Sequence, residues 1–151
     1  MKIVFAASSG GHYEQLLMLK PLMEKYDSVL VTEKTDYSAG DTGIKTYYMH
    51  QINRKELLFL PKLIANSWRS LVLIIKERPK VMITTGVLAV IPLALLIKMF
   101  GGKLIYIESF AKVCSKNLTG NLLYRFADQF YVQWEEMLKL YPKAIYKGGI
   151  Y

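Results

Sequence analysis

Residues 2–17 read KIVFAASSGGHYEQLL, and the fold turns on how that stretch divides. KIVFA is a short unbroken apolar run, as a strand buried on both faces requires. Leu16, Leu17, Leu19 and Leu22 then recur at spacings that suit a helix against a core, predicted from about His12 to Lys25. Between them Ser8, Ser9, Gly10, Gly11 and His12 crowd into a strand-to-helix turn. Adjacent glycines let a backbone turn sharply and let a ligand approach without a Cβ in the way. Exposed N–H groups at a helix start favour an anion such as a phosphate. His12 adds a base whose ordinary pKa lies near neutrality. The same residues also suit a plain turn with His12 as its cap.

The pattern repeats along the chain. SVLVTE (28–33), IKTYYMHQ (44–51), KVMITTG (80–86), KLIYIES (103–109) and QFYVQW (129–134) read as strands, with a last extended piece at AIYKGG (144–149). Helices are predicted over 53–77, 88–99 and 117–127, with a short one after Trp134 and a polar loop at 34–43. Apolar strands alternating with helices predict an α/β fold: a Rossmann-like, doubly wound parallel sheet in a single domain over 1–151. In such sheets ligands bind outside the carboxyl ends of the strands. Three strand ends carry small or polar residues: Ser8 to Gly11, Thr85-Gly86 and Glu108-Ser109. They are expected to converge on one edge.

A dinucleotide-binding fold would place G-x-G-x-x-G after the first strand and an acid about twenty residues on. Glu33 suits the acid, but the glycines are adjacent and Gln15-Leu16 occupy the place of the third. The motif therefore argues against NAD or FAD.

Charge is uneven. Residues 1–50 carry five Lys and Arg against six acids, and residues 51–151 carry fifteen against six. A basic half suits an anionic lipid or substrate. Nucleic acid is the weakest choice, since no recognition-helix, zinc or RNP pattern accompanies the charge. Hydrophobic residues make up 52% of the chain, enough to leave apolar surface for a membrane or partner. The stretch VLAVIPLALLI (87–97) is too short to span a bilayer and is expected to be a core helix. The 53–77 helix instead mixes Arg54, Lys55, Lys62 and Arg69 with Phe59 and Trp68. One reading sets it on lipid headgroups, as monotopic helices lie; the other is a core helix with solvated lysines. Cys114, the single cysteine, permits no internal disulfide, and no signal peptide precedes the first strand, so a cytosolic location is expected.

The segment SSGGHYEQLL resembles the SGGH-type turn in the acceptor half of GT-B glycosyltransferases such as MurG. YIESFAKVCSKNLTGNLLYRFADQFYVQW (106–134), followed by a final YP.A.Y.G, resembles the Alg-fourteen-like family more closely. That family is the membrane-associated subunit of split UDP-GlcNAc transferases and has bacterial relatives in capsule and exopolysaccharide synthesis. The resemblance covers essentially the whole chain. The eukaryotic members carry an N-terminal membrane span, whereas Lys2-Ile3-Val4 here already read as strand, which resembles the bacterial branch.

This resemblance implies a subunit of a two-component inverting glycosyltransferase, inactive alone, without metal or other cofactor. Its partners would be a separate donor-binding chain, a polyprenyl-diphosphate-linked sugar acceptor and an anionic membrane surface. It would sit peripherally on the cytoplasmic face of the plasma membrane. Ser8, Ser9, Gly10, Gly11, Thr85, Gly86 and Ser109 would meet the acceptor, and His12 or Glu108 would take the acceptor's proton. Glu108 also has a plain structural reading, hydrogen-bonded to nearby backbone. Tyr131, Trp134 and Tyr151 would face the partner, or the first two would simply pack. A non-catalytic anchor or activator, and a free-standing nucleotide or small-molecule binder, are the competing readings.

Overall fold

A computed structural model describes residues 1–34 and 42–150. Most of the predicted 34–43 loop, and Tyr151, lie outside the described residues. Strands β1 (Lys2–Ala7), β2 (Asp27–Glu33), β3 (Thr46–Met49), β4 (Val81–Gly86), β5 (Lys103–Ile107), β6 (Gln129–Val132) and β7 (Ile145–Tyr146) form one sheet in the order β3-β2-β1-β4-β5-β6-β7. Every pairing is parallel, and β1 is an interior strand; Val4 lies opposite Val29 on one side and Met82 on the other.

Successive strand residues point to opposite faces, so each strand feeds two cores. Val4, Ala6, Val29, Val31, Met82 and Leu104 look toward α3 (Phe59–Glu77), α4 (Ile91–Met99) and α5 (Leu118–Leu123). Ile3, Phe5, Ala7, Leu30 and Ile83 look toward α1 (Gly11–Leu17) and α2 (Lys20–Lys25), where Leu16 and Met23 close that core. Helices this short are marginal by themselves, and each fully buried Leu or Met contributes about 1.5–3 kcal/mol to holding them.

Prolines set the helix boundaries. A proline ring clashes with the carbonyl four residues before it. Pro21 thus splits the expected 12–25 helix: α1 stops at Leu17 and α2 restarts with Pro21 in its first turn. Pro61 likewise keeps the expected 53–77 helix from starting before Phe59. Residues 53–58 form turns instead, where the Asn53 side chain accepts from the Lys55 N–H at 3.2 Å. Pro92 sits in the first turn of α4, after a 3₁₀ turn at Leu88–Val90, and Leu93, Ala94 and Ile97 are buried as expected of a core helix. At its other end α3 stops at Arg78 in the left-handed region, ahead of Pro79. The expected 117–127 helix is only α5, and a 3₁₀ turn at Glu135–Lys139 stands for the short helix after Trp134.

The α1–α2 face is unevenly covered. Over β4, β5 and β6 it opens as an apolar groove of about 310 Å³ whose lining includes Leu22, Ile105, Tyr131 and Ile150.

Candidate functional site

At the end of β1, Ser8 is buried and Gly10 is exposed with φ 78° and ψ −145°, a region essentially reserved for glycine. Its carbonyl receives the Tyr13 N–H at 2.9 Å and the Glu14 N–H at 3.1 Å, which launches α1. Gly11 is different. It is the first helical residue, and a Cβ added there would meet nothing within 4 Å. The fold therefore requires one of the two glycines; Gly11 leaves room for something outside the chain. With seven residues, α1 supplies little dipole, so the turn's claim on a ligand rests on its side chains.

His12 is joined to β4 by two reciprocal bonds. Its Nδ1 lies 2.9 Å from the Thr85 carbonyl oxygen, and the Thr85 hydroxyl donates to the His12 carbonyl at 2.8 Å. A carbonyl only accepts, so Nδ1 carries the hydrogen and Nε2 is left with its lone pair. Burial lowers the His12 pKa, partly offset by the Thr85 bond, so the ring is neutral at neutral pH. A neutral imidazole with a free Nε2 can accept a proton.

Next along β4, Gly86 has φ 101°, and a Cβ there would come within 2.7 Å of the Tyr106 hydroxyl. Val87 follows at φ 121° and ψ 153°, a costly conformation for a β-branched residue.

Glu108 lies just past β5 and is fully buried. Its carboxylate accepts from the Ser109 N–H at 2.8 Å, from the Asn117 side-chain amide, and from the Tyr141 and Tyr106 hydroxyls at 3.3 and 3.4 Å. Asn117 in turn caps α5 by accepting from the Gly120 N–H at 2.6 Å. A Cβ on Gly120 would collide with Glu108 Oε2, so that glycine admits the carboxylate. Burial raises the Glu108 pKa, and the hydrogen bonds pull the other way. Glu108 thus ties β5, α5 and the Tyr141 segment together from inside. Ser109 is buried, with its hydroxyl accepting from the Ala111 N–H at 3.3 Å.

Glu33, the acid a dinucleotide fold would turn toward ribose, is 5% exposed. It accepts from the backbone N–H and hydroxyl of Ser9 and from the Ile52 N–H. It braces the glycine turn from below and is engaged where a ribose would need it. Its partner was foreseeable: β1 and β2 are parallel neighbours, so their carboxyl ends must meet. The segment after β3, absent from the sequence reading as a site element, is held at the same edge. The buried Asn66 amide takes the His50 N–H and gives to the His50 carbonyl, both at 2.8 Å. Residues Gln51 to Arg54 then wall a cleft of about 440 Å³ with Val87, Leu88 and Thr119 opposite.

Away from this edge, α3 exposes Leu60, Ile64, Trp68, Val72 and Ile75, a stripe at helical spacing. Arg54, Lys55 and Arg69 are exposed beside it, and Lys62 pairs with Glu56. Arg69 also donates to the Tyr48 carbonyl at 3.0 Å. Phe59 is half-buried, and Leu57 and Leu58 project in its place. Among the described residues no helix is long and apolar enough to cross a membrane. Tyr131 lines the apolar groove, whereas Trp134 packs on Phe110 and donates its indole N–H to the Phe110 carbonyl at 2.6 Å.

Residues 3–150 match the family described as "Oligosaccharide biosynthesis protein Alg14 like". The chain belongs to the Alg14-like family. It is 26% identical over 180 residues to the mouse UDP-N-acetylglucosamine transferase subunit ALG14, covering 99% of this chain and 83% of that one. The Yarrowia lipolytica subunit of the same name is 31% identical over 172 residues, covering 97% and 80%. In fold, the Alg14-like chain resembles Acinetobacter baumannii MurG, with a TM-score of 0.70 at 14% identity. That match covers 90% of this chain but 43% of MurG, so the chain spans less than half of that protein. In fold, the single parallel sheet with its helices matches the N-terminal half of GT-B proteins such as MurG.

Proposed function

We propose that this chain is the acceptor-binding subunit of a two-part inverting glycosyltransferase. A separate chain holds the nucleotide-sugar donor, and this one presents a sugar carried on a polyprenyl diphosphate. The observation that carries the reading is the tautomer of His12: with Nδ1–H committed to Thr85, Nε2 is free beside the exposed Gly10-Gly11 turn. In the reaction Nε2 accepts the proton of the acceptor hydroxyl as its oxygen attacks the anomeric carbon. The bond from that carbon to the diphosphate of the donor breaks, and the nucleoside diphosphate leaves with the electron pair. Ser9, Gly11 and Gly86 border the approach, and Ser8, Thr85 and Ser109 hold its backbone. Glu108 serves as the brace of the β5 strand end, and the base role falls to His12.

The exposed α3 stripe with its flanking Arg54 and Lys55 supports peripheral contact with the cytoplasmic face of an anionic membrane. The groove bordered by Tyr131 supports docking of the donor-binding chain. The bacterial setting, capsule or exopolysaccharide repeat units, belongs to the same proposal and rests on the sequence resemblance.

The test is sugar transfer by the chain assembled with its donor-binding partner. His12→Ala is expected to lower turnover by about 10²–10⁴ with the complex intact, and His12→Gln to be similarly poor. Near-native turnover in both, with Glu108→Gln inactive but folded, moves the base to Glu108. Near-native turnover in all three leaves the chain an anchor.

A further inference from the structure

The cleft between residues 51–54 and Val87-Leu88 has walls of distinct kinds. On one side, residues 51–54 are fixed from beneath by Asn66 through His50 and by Glu33 through Ile52. On the other stand Val87, with its backbone at φ 121°, and Leu88. Strain of this kind persists where the surroundings over-determine it, as at ligand clamps. Val87, in the cleft wall, follows two residues after Thr85, whose carbonyl holds His12. Its volume, about 440 Å³, suits a small-molecule ligand.

The lining gives the chemistry. Gln51, Asn53 and Thr119 offer amide and hydroxyl groups that donate and accept, as sugar hydroxyls demand. Arg54 presents a guanidinium, whose planar fork matches phosphate oxygens. Glu56 also lines the cleft, but its carboxylate pairs with Lys62. Arg54 has no ion-pair partner among the described residues. The wall then runs directly into Leu57 and Leu58, which are 102% and 60% exposed, and on to Leu60. A ligand with a polar sugar, a diphosphate and an apolar tail would meet these features in that order.

We infer that this cleft binds the sugar-diphosphate head group of a prenyl-linked acceptor, with Arg54 as the counter-charge of the diphosphate and Leu57-Leu58 as the first contact of the prenyl chain. The inference rests on the acceptor-subunit reading above and assigns that acceptor its place. A nucleotide sugar carries the same diphosphate, but nothing in its structure would use the exposed leucines.

The experiment measures binding of farnesyl diphosphate to the full chain in neutral phosphatidylcholine nanodiscs, where general attraction to anionic lipid is absent. Arg54→Gln is expected to weaken binding about tenfold or more, the loss of a charge-assisted phosphate contact. Lys55→Gln, one residue away but outside the cleft lining, should stay within about twofold, since a screened surface charge contributes little. Glu56→Gln should tighten binding, because it removes a lining carboxylate and releases Lys62. UDP-GlcNAc and inorganic pyrophosphate should bind at least about tenfold more weakly, lacking the apolar tail. Equal effects of Arg54→Gln and Lys55→Gln overturn the proposal, as does Arg54-dependent binding of UDP-GlcNAc as tight as that of farnesyl diphosphate. Sugar transfer by the assembled complex, run in parallel, separates the two claims. Arg54-dependent binding without transfer contradicts the transferase reading and keeps the subsite; transfer indifferent to Arg54→Gln overturns the subsite alone.

Discussion

His12 and Thr85 are 73 positions apart and exchange two hydrogen bonds, one from each side chain to the other's backbone. This pairing commits the imidazole to one tautomer, and burial lowers its pKa below the ordinary 6.5. The sign follows for a base: it works when unprotonated, so a lowered pKa extends activity toward acid. Turnover of the assembled enzyme is therefore expected to hold through neutrality and to fall only below the pH where a free imidazole titrates. An acid limb centred above that value would contradict His12 as the base. The glycines give a second prediction. Gly86→Ala meets both a positive φ and the Tyr106 hydroxyl at 2.7 Å, and should destabilise the chain by about 1–3 kcal/mol in denaturant unfolding. Gly11→Val has open space around its Cβ, so it should leave stability within about 0.5–1 kcal/mol while obstructing the acceptor. His12 and the turn were legible in the sequence because small residues, glycines and a histidine cluster there. The division of labour between the glycines was not, since it depends on a backbone angle and on the neighbour a Cβ would meet. Glu108 shows the same limit: its residue type suits a base, and its burial among Asn117, Tyr106 and Tyr141 is visible only in the structure.

At the scale of elements, apolar runs located β1, β2, β4 and β5, because strands buried on both faces are unbroken apolar runs. Helix limits were less legible. Periodicity carried the first helix to Lys25 and began the third at Asn53, whereas the clashes at Pro21 and Pro61 decide where they stop and start. That shift matters for function, because freeing residues 53–58 from the helix is what lets Asn53 and Arg54 wall the cleft. For α3 the open question was whether its basic, apolar surface is core or membrane-facing. Asn66, Ser70, Leu73 and Ile74 are buried, while Ile64, Trp68 and Ile75 are exposed, so one face packs on the core and the other is open to solvent. The chain should bind anionic vesicles, and less tightly at high salt. Replacing Arg54 and Lys55 by glutamine should cost about 1 kcal/mol each, and Lys62 or Arg69 less, since they already have partners within the chain. Ile64→Ser with Trp68→Ser should weaken binding at any salt, without unfolding the domain. Vesicle binding that is absent, or indifferent to both sets of changes, would assign the stripe to a protein partner instead.

The whole molecule is a sheet with its strand carboxyl ends gathered at one edge, and that much follows from alternation of strands and helices alone. The fold corresponds to 43% of MurG, and the α1–α2 face leaves an apolar groove over β4 to β6 where Leu22, Ile105 and Tyr131 meet solvent. The groove was not legible in the sequence, because partial exposure of a strand residue reflects which helices fall short of it. Trp134 was equally ambiguous from residue type and is committed to Phe110 inside the chain. The proposed function makes sugar transfer depend on two chains. The direct measurement is transfer of sugar from a UDP-sugar to a prenyl-diphosphate-linked sugar by purified components. No transfer is expected from this chain alone and none from the donor-binding chain alone; mixing them should give turnover that His12→Ala lowers by about 10²–10⁴. Robust transfer by the isolated 151-residue chain would contradict the proposed function.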